Sequence, residues 1–334
     1  MADRLETETP GRSVLFSALR PLNARGVLRD AAAGVELAAM NIPQVLGYTS
    51  IAGTPPITGL YTLLLPLSAF AVFGSSRYLV VAADSATAAI LAGGVSRLAL
   101  VASPQYVALA SLVALLVAGL LLLARLLRLG FLADFLSRTV LVGFLTGVGL
   151  QVGIAVLGGM LGLPAHSRRT VPQLLEVAGH LHEANWSCFG LAAAVVAGVV
   201  LLSRIAPRIP GPLIAVVAAI AASAHWNFAA HGIEILGPVP GGLPHLGLPA
   251  VAWKDVFDLL PISASCVVMI MAQSAATARI YAVRHHQILD ENADLAGLCA
   301  ANTAAALSGT LWSTVARAKP EWSNPRVDAA RRHI

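Results

Sequence analysis

The chain has 334 residues, of which 57% are apolar and only 12% charged, and its mean hydropathy is +0.76. A soluble domain carries about a quarter of its residues as charges, so this composition excludes an ordinary water-soluble globule. The net charge of +5 is therefore to be weighed against a membrane before nucleic acid.

Residues 1–29 mix acids and bases and lack the short apolar core and small-residue cleavage site of a signal peptide. They read as a cytoplasmic N-terminal segment, with an interfacial helix over 13–29. Beyond it, apolar stretches predict spans near 30–50, 56–73, 83–97, 104–126, 138–161, 187–204, 211–226, 256–282 and 291–309. The alternating segments of about ten residues that mark a membrane β-barrel are not evident. The fold class is an all-α polytopic membrane protein, with a transmembrane domain over 30–310 and a polar tail over 311–334.

With the N-terminus inside, thirteen arginines fall on inner segments and four basic residues on outer ones, the tail left aside. The positive-inside rule selects that orientation. It assigns the chain to the cell's inner or plasma membrane with a cytoplasmic N-terminus, and it explains the basic charge without a nucleic-acid partner. Two longer polar insertions, at 162–186 and 227–255, then lie outside. They read as loops with short surface helices.

Polar groups inside the spans are the candidate functional residues. Pro43 and Gly47 predict a break in the first span, which would expose Gln44 and Tyr48. Helices interrupted near the bilayer midplane present free N–H groups and a positive dipole end to anions. The stretch "VVAADSATAAILAGG", residues 80–94, fits a second such site, with Asp84 and Ser85 as helix-capping residues. A plain capped helix of small residues fits it equally. Glu36, two turns before Pro43, is a candidate for a coupling cation or proton, or an interfacial side chain. Gln273 and Ser274 lie deep in the eighth span, where an amide can hydrogen-bond but cannot titrate. His285, His286, Asp290 and Glu291 read as a solvated loop, and Cys188, Cys266 and Cys299 as packing residues. Neither a metal site nor a cofactor is expected. No HExxH, GxSxG or P-loop spacing points to an enzyme.

The stretch "AAGVELAAMNIPQVLGYTSIAGTPPITGLYTLLLPLSAFAVFGSSRYLVVAADSATAAILA", residues 32–92, resembles the SulP family of anion transporters. Its "IPQ…Y…AG.PP..GLY" followed by "FGSSR" is specific to that family. Weaker resemblance continues through 130–151, 210–217 and 272–310. It implies a fourteen-span fold of two inverted seven-span repeats, divided into core and gate domains and usually followed by a STAS domain. This chain would hold the first repeat and the first spans of the second.

The resemblance also implies a small inorganic anion held between the starts of spans three and ten, beside spans one and eight. Carried over by position, Asp84, Ser85, Ala86 and Thr87 open the span-three half-helix, and Gln44 and Tyr48 face the same site. Many relatives place an acidic residue where Gln273 stands, which counts against ion coupling through that position. A homodimer in the lipid bilayer is an admissible assembly.

After Thr310 the chain departs from the family, and nine spans would leave the basic tail on the outer face. A truncated or frame-shifted product, or a partially predicted gene, with a non-family tail over 311–334, accounts for both observations. Three functional readings follow. The first is secondary transport of a sulfate- or bicarbonate-type anion. The second is an inactive truncated fragment of such a transporter. The third is a nucleobase permease of the same fold.

Overall fold

The structure is a computed structural model that describes residues 24–74, 76, 79–129, 138–163, 170–206, 211–235, 239, 241–285, 291–310 and 314–318. Helix α1 (Ala24–Ala52) runs without interruption through Pro43. The break expected at Pro43 and Gly47 is therefore absent. A proline withholds one N–H and crowds one carbonyl, but the remaining i→i−4 bonds of a long helix hold its course. Gly47 is exposed, and a Cβ there would meet nothing within 4 Å.

The chain turns instead at Gly53, whose φ of +74° suits glycine, while the Thr54 N–H donates to the Thr49 carbonyl at 3.0 Å. This is a left-handed helix terminus. Pro56 opens α2 (Pro56–Thr62) in the first turn, where its missing N–H costs nothing. The connection between the first two spans is thus a turn at 53–55, with Pro56–Gly59 already helical. Gly59 permits α2 to lie against α1, because a Cβ there would sit 2.8 Å from the Val45 carbonyl oxygen. After two turn residues, α3 (Leu65–Phe73) completes the second span.

A buried strand, β1 (Leu79–Ala82), leads into the short helix α4 (Ser85–Val95). Helix α5 (Pro104–Leu126) is capped by Ser103, whose Oγ accepts from the Tyr106 N–H at 3.1 Å. Buried Tyr106 donates its hydroxyl to the Ala52 carbonyl at 2.6 Å, tying the start of α5 to the end of α1. There follow α6 (Arg138–Met160), the surface helix α7 (Thr170–Gly179), α8 (Trp186–Ile205) and α9 (Gly211–Trp226). The long α10 (Trp253–His285) and α11 (Glu291–Leu307) lead to a second strand, β2 (Thr314–Ala318).

Each of the nine expected spans is thus a helix or a helix pair. Among the described residues four stretches are long and apolar enough to cross a membrane: Pro56–Phe73, Pro104–Leu126, Trp186–Ile205 and Trp253–Ala275.

The all-α expectation needs one amendment. β1 and β2 pair antiparallel, Leu79 opposite Ala318 and Ala82 opposite Thr314, with a register shift between Val80 and Val81. The second strand lies beyond the last expected span. Unlike a helix, a strand needs a partner to satisfy its backbone groups, and here the partner is 232 or more residues away along the chain.

The main hydrophobic cluster draws on α1, α3, β1, α4, α5, α10 and α11, and α8 and α9 contribute no residue to it. Helix α11 packs between α5 and α3. Its Gly297 approaches Gly74 so closely that a Cβ would fall 2.8 Å from the Gly74 Cα. Beside this contact the Ser76 N–H donates to Oδ1 of buried Asp294 at 3.1 Å. Ser76 of "FGSSR" is thereby tied to Asp294 of "ENADL". On α8 only Cys188 is buried, and Val196, Val200 and Leu201 face outward. A wall of exposed aliphatic side chains is stable in hydrocarbon and would not be in water.

Candidate functional site

Helix α4 begins inside the bundle rather than at its edge. β1 delivers the chain to its first residue, and α10, α1, α6 and α5 pack around it. Asp84 precedes the helix in extended conformation (φ −136°, ψ 146°), as a capping residue must. Its Oδ2 accepts the Thr87 N–H at 3.0 Å and lies 3.2 Å from the Thr87 Oγ1. Thr87 is fully buried. The same carboxylate oxygen accepts Nε2–H of Gln273, from α10, at 3.3 Å. The Oε1 of Gln273 in turn accepts the hydroxyl of buried Thr314, the first residue of β2, at 3.3 Å. One orientation of the Gln273 amide satisfies both bonds, so the side chain bridges strand and helix as donor and acceptor at once.

The structure thus joins three of the expected residues, Asp84, Thr87 and Gln273, in one hydrogen-bonded chain. Ser85, half-buried, and Ala86, buried, form the first turn of α4 beside it. Gln44 and Tyr48 lie on α1, which packs on α4. Gln44 is half-buried and makes no side-chain hydrogen bond among the described residues, while Tyr48 packs against the main cluster. Neither is bonded to the Asp84 chain. The Glu36 side chain falls outside the described residues, as do His286 and Asp290.

Thr314 was not among the expected site residues. The one local hint is the β-branched pair Thr314-Val315, too short to stand apart from the polar tail around it.

Two other hollows among the described residues lack comparable chemistry. A groove of about 310 Å³ between α8 and α9 is lined by aliphatic side chains and glycine, including Leu191, Ala194, Gly198 and Ile214. A second hollow, of about 10 Å³, is bounded by Gln151, Thr170 and Gln173, with the Gln173 amide donating to the Ala155 carbonyl at 3.1 Å. That is room for a single water at most. Among the described residues no group of three or more His, Cys, Asp or Glu side chains could hold a metal ion.

A bundle of membrane-length helices, enclosing a short half-helix that is strand-led, carboxylate-capped and met by a polar residue from a long neighbour, defines a polytopic membrane protein with an interrupted-helix core. The particular family follows from comparison with known proteins. Residues 27–320 match the sulfate permease family, and the chain belongs to it.

A probable sulfate transporter of Mycobacterium tuberculosis is 37% identical over 289 residues, covering 86% of this chain and 52% of that protein. The chloroplastic sulfate transporter 4.1 of Arabidopsis thaliana is 28% identical over 293 residues, covering 85% of this chain and 42% of that protein. The chain thus spans about half the length of the curated relatives it matches.

Two solved structures share the fold. SLC26A9 superposes with a TM-score of 0.82 at 21% identity, covering 95% of this chain and 53% of that one. The transmembrane domain of the cyanobacterial bicarbonate transporter BicA gives 0.76 at 21% identity, covering 88% and 76%. The fold is therefore the inverted-repeat transporter fold, represented here by its first repeat and the start of its second.

Proposed function

We propose that this chain binds a small inorganic anion of the sulfate or bicarbonate type and belongs to a secondary transporter for it. The observation that carries the reading is the start of α4, with the N-terminal end of its dipole and the polar chain Asp84–Gln273–Thr314 inside the bundle. The names of its relatives, a probable sulfate transporter and a bicarbonate transporter, point to the same substrate class. The excess of arginine on one set of connecting segments favours a cytoplasmic N-terminus in the plasma membrane. Gln44 and Tyr48, on the α1 face of the same region, are proposed to line the anion's path.

The test is uptake of labelled sulfate and of labelled bicarbonate into proteoliposomes holding the purified chain, with equilibrium binding measured on the same preparation. Saturable uptake of either anion, indifferent to excess uracil, supports transport. Binding without uptake limits the chain to the anion site, which suits its half-length match to the relatives. Competition by uracil would point to a nucleobase instead, and absence of both binding and uptake sinks the reading.

A further inference from the structure

Helix α7 wears its apolar side outward. Val171, Leu174, Leu175 and Ala178 recur at the spacing of one helix face. All four are exposed, Val171 by 66% and Leu175 by 68%. The opposite face carries Thr170, Gln173 and Val177, of which Gln173 and Val177 are buried. A helix lying on a protein in water shows the reverse, with its polar side outward. The one charge within α7 is Glu176, half-buried toward the inner face, and Arg168 and Arg169, just before the helix, lie outside the described residues.

Contacts with α6 set the depth of α7. They advance in step along both helices. Thr170 shares the small hollow with Gln151, the Gln173 amide donates to the Ala155 carbonyl at 3.1 Å, and a Cβ at Gly158 would meet Val177 Cγ2 at 3.5 Å. α7 therefore lies alongside the last turns of α6. Just past the end of α6, the Leu161 carbonyl accepts the N–H of Asn185, the residue that caps α8, at 2.9 Å. Ala155 stands six residues before Leu161, which puts Gln173 about 9 Å along α6 from the start of α8. Exposed tryptophans, Trp186 opening α8 and Trp226 closing α9, mark the headgroup level there. Interfacial helices sink their apolar face about 5–10 Å below that level.

The face also adjoins a surface already suited to hydrocarbon. Val177 of α7 and Ala184, just before α8, pack on the same end of α6 through Leu157, Leu161 and Leu163. Leu181, Trp186 and Phe189 are exposed between the α7 face and the aliphatic wall of α8. A helix start at this depth must open onto protein or water rather than lipid. The hollow bounded by Thr170, Gln151 and Gln173, with room for one water, meets that requirement.

We propose that α7 is a membrane-seated strap, with its Val171–Leu174–Leu175–Ala178 face among phospholipid acyl chains at the edge of the bilayer where α8 begins. Its polar face is then left to grip α6, and lipid contact holds Gln173 over the hollow at the ends of α1 and α4. The segment is thus a part of the membrane domain and not a loop in water. This stands independently of the anion site.

The probes are two phosphatidylcholines with a diazirine in one acyl chain, placed beside the glycerol in one and at the chain tip in the other. The full chain is irradiated in liposomes of each lipid, and mass spectrometry locates the adducts. The near-glycerol probe is expected to label Val171, Leu174 and Leu175 about threefold or more above the chain-tip probe. The chain-tip probe should favour Val196, midway along α8, and Gln173 and Val177 should take neither. Hydroxyl-radical oxidation of the same liposomes should spare Leu174 and Leu175 while marking exposed His182. Oxidation of both leucines to the level of His182, without lipid adducts, puts α7 in water and overturns the proposal. Equal labelling by the two probes overturns the placement at the bilayer edge. Absence of both adducts and oxidation overturns it as well and means that protein covers the face, with α7-to-α7 crosslinks identifying a second copy.

Discussion

Replacing Gln273 by leucine keeps most of the side-chain volume and removes both of its hydrogen bonds. The first, to the Asp84 carboxylate at 3.3 Å, is charge-assisted. Bonds to charged groups are worth about 1.5–3 kcal/mol, and this long bond to a half-buried acceptor belongs near the lower figure. The second leaves the hydroxyl of Thr314, which is fully buried, without an acceptor. An orphaned buried donor costs about 1–3 kcal/mol. The expected loss is therefore about 2.5–4.5 kcal/mol.

Thr314→Val alone should cost about 1 kcal/mol, because it leaves Oε1 of Gln273 without a donor. In the double variant no hydroxyl is orphaned, so the combined loss should fall short of the sum by about 1 kcal/mol or more. The assay is denaturant-induced unfolding in detergent followed by intrinsic tryptophan fluorescence, for the four members of the cycle. Additivity within about 0.3–0.5 kcal/mol would refute the bridge between β2 and α10.

Further substitutions examine the packing that positions the site. Gly297→Ala forces its new Cβ to 2.8 Å from the Gly74 Cα and a similar distance from the Phe70 ring. The expected loss is about 1–3 kcal/mol by the same unfolding assay, and an unchanged midpoint would mean that α3 and α11 are not in close contact. Tyr106→Phe deletes the 2.6 Å bond to the Ala52 carbonyl, with an expected loss of about 0.5–1.5 kcal/mol that hydrogen exchange should localise to the α1–α2 turn. Pro43→Ala restores an N–H within a continuous α1. Stability should hold or rise, and a fall of more than about 1 kcal/mol would show that the proline is needed for the helix's course.

How far the sequence could be read depended on the range of each interaction. The positions of the spans follow from local composition: an apolar run must be helical in hydrocarbon, because each backbone donor then finds its acceptor four residues away. The start of α4 was legible for the same reason. Asp84 and Thr87 are three residues apart and form their cap without help from elsewhere. The sequence was misleading where local and collective effects compete, as at Pro43, whose single missing bond did not outweigh the rest of α1.

What only the tertiary structure decided is long-range. Gln273 meets Asp84 across 189 positions of the chain and Thr314 across 41. β1 and β2 define each other only by pairing, so neither announces itself in isolation. Composition therefore determined that the chain crosses a membrane and where. Folding determined that one glutamine amide would join a strand beyond the last expected span to the carboxylate that caps the buried half-helix. No local pattern encodes that meeting, because the free energy that selects it belongs to the packed bundle as a whole.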